Sequence, residues 1–469
     1  MLKINLIFFL LIKIFSYAKT TFKQYAEISN IILTNADNEC KFCSLYRFKI
    51  KEKENITFST PRLYNSSGSI VYGPKFTTLV TWKQNENEGK LKAWPDHYIM
   101  YYPENDKKSN YKLYSIMGFT IDDDDKFYLL DQGKINYENN TVEIKTPKVV
   151  IMDPKKERKD DIIYQFNESE YTNSLLTDIT VDHDGKYLYI VDSGNLLNKQ
   201  SVPGIIVINL EDGEINKVLH NHSSFKSEEY LNLENIKITP EEYFSKAVGV
   251  NTIQISCDDE TLYYSSQKSK NIYSVSTKDI HNAIKKYKDS KNINDLKDIE
   301  VNKADQNFLN QDFVLSSKNN VYMINKQSHS VELSYYLDDD LAHFNYNLNS
   351  KIVYNETINP ISLDLYNGNA YLLENVINNN YGNYTYKIYI AELEKDELDN
   401  NVGCTVFVFK LYGSLIFLFI LFLMILGITI LIIIVNSGNK LEKSHMLKEM
   451  EKEENINELN RELNEKKDE

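Results

Sequence analysis

The feature that most constrains this chain is a two-stranded block that recurs five times: an apolar strand of alternating pattern, a polar turn, then a strand centred on tyrosine. The copies run Gly118–Asp122 then Phe127–Asp131, Leu176–Asp182 then Tyr187–Asp192, Val250–Ser256 then Leu262–Ser265, Phe313–Ser316 then Val321–Ile324, and Ile361–Leu365 then Ala370–Leu373. Aligning Ile121, Val181, Ile255, Leu315 and Leu365 gives spacings of 60, 74, 60 and 50 residues. A tyrosine follows each of them after six to eight residues, as a short hairpin requires. A third strand is visible at Lys148–Met152, Gly204–Asn209, Asn271–Val275 and Tyr386–Ile390.

Each unit is a small antiparallel sheet with a face it cannot bury alone. Stacking such sheets around an axis buries those faces and leaves only short edges. Residues 19–403 divide into six units of about 60 residues, the first of them placed around Ile70–Tyr72 and Phe76–Trp82. The expected fold is therefore all-β, a six-bladed β-propeller ectodomain. Two polar inserts, 221–242 and the charged, helix-prone 276–310, read as loops on one face.

The two ends of the chain set its expected compartment. Lys3, the apolar run Ile4–Phe15 broken only by Lys13, and Ser16-Tyr17-Ala18 read as a cleaved signal peptide, residues 1–18. Leu411–Val435 gives 25 residues without a charge, enough helix to cross about 30 Å of hydrocarbon. The reading is a single-pass type I membrane protein: an extracellular or lumenal ectodomain over 19–403, a transmembrane helix over 411–435, and a helical or disordered cytoplasmic tail over 436–469. Lys440, Lys443 and Lys448 after the span fit the positive-inside bias, although Lys410 lies on the opposite side. Nearly all of the net charge of −14 sits in the ectodomain, which argues against nucleic acid as a partner. Seven sequons permit glycosylation there: Asn55, Asn65, Asn139, Asn167, Asn221, Asn355 and Asn383. Among the 4 cysteines, Cys40 and Cys43 read as a local disulfide, with Cys257 and Cys404 left free or paired elsewhere.

Several segments, in this order and spacing, resemble the major royal jelly protein/yellow family. They are Leu91–Asp96, Phe127–Gly133, Leu176–Asp182 with Tyr189–Gly194, Gly204–Asn209, and Gly249–Ser256 with Leu262–Ser266 and Asn271–Val275. The resemblance covers roughly residues 60–340 and implies a secreted six-bladed propeller. Family members tend to carry one cysteine before each of two of these motifs. Here those turns read Asp122–Lys126 and His183–Lys186, with neither cysteine. The membrane span is also atypical of secreted members.

The function expected from these readings is a membrane-anchored module that binds a small ligand, an amine among the candidates, or an extracellular protein. The alternative implied by the resemblance is an enzyme, either a dopachrome-type isomerase of the melanin pathway or a metal-dependent lactonase. Asp131 and Asp192 are carboxylates in register at strand ends, followed by Gln-Gly and Ser-Gly. They could hold a cationic amine at the channel mouth beside the ring faces of Tyr128, Tyr189 and Tyr263, or simply accept backbone N–H groups. Asp122–Asp125 and Asp182–Gly185 suggest calcium, but Lys186 stands where a third ligand belongs and no Glu closes the loop. Asp- and Gly-rich hairpin turns explain them better, and no cofactor is expected. The 8 histidines show no ligand spacing, and no nucleophile elbow or phosphate loop is present.

Overall fold

The computed structural model describes residues 22–34, 45–94, 113–225, 250–334, 351–393 and 403–465, apart from short gaps inside these ranges. Six sheets follow one another along the chain, and their inner strands ring a common axis. Those inner strands are Phe48–Glu52, Ile116–Ile121, Leu176–Val181, Val250–Ile255, Asn310–Leu315 and Pro360–Tyr366, in blades 1 to 6. Each contacts its neighbours, and blade 1 meets both blade 6 and blade 2, so the ring is closed. Blades 2 to 5 are four-stranded antiparallel meanders. The five aligned repeat positions fall at or next to the ends of the inner strands of blades 2 to 6.

Strands buried on both faces explain why the tyrosine strands look almost continuously apolar. In Phe127–Asp131, Phe127 and Leu129 enter the cluster shared with blade 1, while Tyr128 and Leu130 enter the cluster shared with blade 3. Among the described residues there are six hydrophobic clusters, one at each seam between blades. Burying each Ile or Leu there stabilises the ring by roughly 1.5–3 kcal/mol.

Blade 1 differs from expectation. Its strands are Phe48–Glu52, Asn55–Ser59, Leu79–Lys83 and Lys90–Ala93, with Ile32–Thr34 pairing in parallel at the outer edge. Ile70–Tyr72 is not a blade strand; it pairs with Leu63–Tyr64 in a separate two-stranded sheet. The inner strand was missed because Phe48-Lys-Ile-Lys-Glu alternates apolar and charged residues without the tyrosine signature. The 276–310 insert also differs from a plain loop. It holds a helix, Thr277–Ser290, capped by the Ser276 hydroxyl, then a short 3-10 turn and the outer strand Asn302–Asp305 of blade 4. Ile280 and Ile284 anchor that helix in the seam between blades 3 and 4.

Blade 6 closes the ring with chain from both ends. Its strands Pro360–Tyr366, Asn369–Ile377 and Tyr384–Glu392 are completed by Lys23–Ser29. Ile28 is fully buried in the seam between blades 6 and 1, and Tyr386 Oη there accepts the Leu45 N–H at 3.3 Å.

The chain divides into two units, residues 1–405 and 406–469. The helix Gly403–Glu465 contains the whole uncharged run Leu411–Val435. Apolar side chains from Phe419 to Ile433 are exposed on it. Among the described residues no helix is long and apolar enough to cross a membrane, so the expected span is not confirmed; side chains 411–418 lie outside the described set.

Deleting Lys23–Ser29 strips the last strand from blade 6 and bares the edge of Tyr384–Glu392, a template for intermolecular pairing. Urea denaturation and light scattering should show a lower midpoint and aggregation, while a chain starting at Phe22 behaves as the parent does.

Candidate functional site at the ring axis

The residue three positions before each aligned repeat position lies at one level of the axis: Gly118, Asp178, Thr252, Asp312 and Ser362, from blades 2 to 6. Arg47, from the start of blade 1, crosses this level. Its Nη1 lies 2.5 Å from Asp312 Oδ1. Its Nη2 donates to Asn251 O at 2.6 Å and Thr252 Oγ1 at 2.9 Å, and lies 3.5 Å from Asp178 Oδ2. One guanidinium thus ties blade 1 to blades 3, 4 and 5. Asp312 extends the tie to blade 6 by accepting Ser362 Oγ–H at 2.9 Å and Leu363 N–H at 3.2 Å, while Thr252 donates to its other oxygen at 2.9 Å. Asp178 Oδ2 accepts the Ile253 N–H at 3.2 Å. Only glycine fits at 118, because a Cβ there would lie 2.8 Å from Asp178 Cα and 3.0 Å from Thr177 O.

Two residues further along the strand, Lys49 Nζ donates to Asp364 Oδ1 at 2.9 Å, and the Ile50 N–H donates to Asp364 Oδ2 at 3.0 Å. Lys49 is the exposed member, with 25% of its side chain accessible against 10% or less for Arg47, Asp178, Asp312 and Asp364. Three carboxylates therefore face two cations in a nearly dry centre. Burial lifts Asp178 and Asp364 above the usual carboxylate range, although Arg47 and Lys49 oppose the lift. The charge of Asp178 and Asp312 holds the Arg47 guanidinium more firmly protonated in spite of its burial. The cavity left between these groups is about 20 Å³, lined also by Thr120, Thr180 and Gln254, space for about one water. Arg47 Nε, which has no hydrogen-bond partner among the described residues, belongs to a residue lining that cavity.

Asp131 and Asp192 lie elsewhere, fully buried at the ends of second strands. Asp131 accepts the N–H groups of Tyr114, Ser115 and Gly133 at 2.9, 2.8 and 3.0 Å. Asp192 accepts Gly194 N–H at 2.8 Å and Ser174 Oγ–H at 2.6 Å. Each also faces a buried lysine of its own blade: Lys148 Nζ at 3.7 Å from Asp131, and Lys217 Nζ at 2.7 Å from Asp192. The lysines lie over the rings of Tyr114 and Tyr171. The cation beside each carboxylate is thus the chain's own ammonium. The residue after each Asp reaches the next blade, Gln132 donating to Leu176 O and Ser193 to Val250 O, and Gly133 and Gly194 take the positive φ that ends the turn. Tyr128, Tyr189 and Tyr263 sit in three different seams. The Tyr128 hydroxyl donates to Asp122 at 2.9 Å and the Tyr189 hydroxyl meets His281 Nε2 at 3.0 Å. The structure therefore does not bring these five residues together.

Cys257 is disulfide-bonded, not free, while Cys40 and Cys43 lie outside the described residues. Among the sequons, Asn167, Asn221 and Asn355 are exposed, and Asn55 is half-buried in a strand. Asn65, Asn139 and Asn383 lie outside the described residues. Among the described residues no group of three or more His, Cys, Asp and Glu is placed to hold a metal ion.

The fold and its closed axis define a six-bladed β-propeller. The family model described as "Major royal jelly protein" matches residues 114–333, which span blades 2 to 4 and most of blade 5. No curated protein matches the sequence. Among solved structures, the chain is similar to virginiamycin B lyase from Staphylococcus aureus, with 12% identity, 78% of this chain and 99% of that chain covered, and a TM-score of 0.38. It is also similar to a luciferin-regenerating enzyme, with 8% identity, 80% and 96% covered, and a TM-score of 0.43.

Sequence reasoning missed Arg47, Lys49, Asp178, Asp312 and Asp364 as a set. The available signal was the polar residue three before four of the five repeat positions, which marks Asp178 and Asp312 but not Arg47, Lys49 or Asp364. Replacing Arg47 with Met leaves Asp178 and Asp312 buried without their cation, and Asp192→Asn does the same to Lys217. Each should cost about 3–5 kcal/mol in chemical denaturation.

Proposed function

We propose that this protein is a membrane-tethered, extracytoplasmic propeller that binds a small cationic ligand at its axis. The observation that carries the reading is the excess of carboxylate over cation among Arg47, Lys49, Asp178, Asp312 and Asp364. A cation that displaces the partly exposed Lys49 ammonium from Asp364 restores the same contact. The acidic net charge of −14 steers cations toward such a mouth.

The tether rests on the uncharged run Leu411–Val435 inside a continuous helix. The compartment rests on the disulfide at Cys257, a bond that persists in oxidising surroundings.

Calorimetry of the full chain with serotonin, dopamine and histamine tests the ligand. Binding is expected for the parent, loss for Asp364→Asn and tighter binding for Lys49→Ala; no heat from any of the three at millimolar concentration overturns the proposal. Resistance to alkaline extraction from membranes, and an endoglycosidase shift arising from Asn167, Asn221 or Asn355, test the tether and its orientation.

A further inference from the structure

The turns after the inner strands form one face of the ring, and neighbouring turns are stitched across the seams. In the seam between blades 4 and 5, the Cys257 N–H donates to the Asn319 side-chain oxygen at 3.3 Å. The equivalent stitch between blades 3 and 4 carries charge. The His183 N–H donates to both Asp259 oxygens, at 3.0 and 3.1 Å, and His183 Nδ1 lies 2.6 Å from Asp259 Oδ1. Asp259 is presented by a left-handed backbone conformation, φ 60°, at the tip of the blade 4 turn.

The groups around the imidazole are nearly all acidic. Its own turn supplies Asp182, whose Oδ1 accepts the Lys186 and Tyr187 N–H groups, and Asp184, which pairs with Lys186 at 2.7 Å. The blade 2 turn supplies Asp123, and the blade 4 turn supplies Asp259. Lys186 is the basic group of its own turn, and it is engaged by Asp184.

We propose that His183 and Asp259 form a proton-operated latch across the seam between blades 3 and 4. With the ring protonated, the latch is an ion pair laid over one bifurcated hydrogen bond from the His183 N–H. With the ring neutral, it keeps that backbone bond and a weaker side-chain contact. Burial alone pulls the imidazole down, but the hydrogen bond and charge of Asp259, helped by Asp123 and Asp182, more than offset it and leave the group above its ordinary value. The latch stabilisation is therefore complete below the unfolded-state pKa of about 6.5 and is lost as pH rises through the higher folded-state value. Asp182, which burial lifts, acts with the same sign over the carboxylate range. His220, His222 and His281, which burial pushes down, act with the opposite sign. The latch sits on the two inner strands that hold Asp178 and Thr252, so acidification tightens the strands on which the Arg47 tie depends.

Hydrogen–deuterium exchange of the full chain, corrected for intrinsic exchange, reads the latch through the His183 amide. Between about pH 6 and about pH 8.5 its protection should fall about two- to fivefold, the range of a partly exposed ion pair. Protection at the Cys257 amide, held by an uncharged partner, should not follow it. His183→Gln and, independently, Asp259→Asn should each abolish the pH dependence. A pH-independent His183 amide in the parent, or an unchanged profile in both variants, overturns the proposal.

Discussion

A guanidinium placed where five blades converge governs this molecule. A propeller ring gains most of its stability from apolar seams, but its axis is lined by inner-strand side chains that the seams cannot cover. Here the axis carries three carboxylates, and in a centre of low dielectric those would repel one another. Arg47 resolves the conflict by spanning the ring: its planar fork of donors reaches a carboxylate on each side and a carbonyl and hydroxyl between them. Gly118 lets the inner strand of blade 2 pack closely against the blade 3 backbone that carries Asp178. A lysine in place of Arg47 would offer a single ammonium without the planar fork of donors that meets these acceptors.

The aspartates that stand out in the sequence turn out to serve the frame. In blades 2 and 3 the Asp-x-Gly turn performs three tasks in three residues: the carboxylate gathers backbone N–H groups and a lysine, the middle side chain bonds to the next blade, and glycine supplies the left-handed turn. This is why the motif looks functional in one dimension. Its regularity is the regularity of a joint, repeated where blade 2 hands over to blade 3 and blade 3 to blade 4. The axial charges are less regular, and that irregularity separates the site from the scaffold: blade 2 offers glycine, blade 4 threonine and blade 6 serine at the level where blades 3 and 5 offer aspartate.

The closed axis has a mechanical side. Of its five charged side chains, four are locked by burial, and Lys49 alone reaches toward solvent. The seam between blades 3 and 4, pinned at the axis by Asp178 and Thr252 and at the turn face by His183 and Asp259, links a solvent-accessible titratable group to the same two strands.

What the sequence determined by itself was the repeating unit. Period-two alternation, a fixed hairpin length and Asp-x-Gly turns are local, and local physics writes them into neighbouring residues, so blades 2 to 6 could be read with their strand ends nearly in place. The helix Thr277–Ser290 was legible only weakly, and the inner strand of blade 1 and the closing strand Lys23–Ser29 were not legible, because their pairing partners or packing surfaces lie far along the chain. The axis was decided by tertiary structure alone. Arg47 meets Asn251 across 204 residues of sequence and Lys49 meets Asp364 across 315. Nothing local marks such a meeting, since ring closure brings those residues together, and only the ring determines which charges must share one small, dry centre.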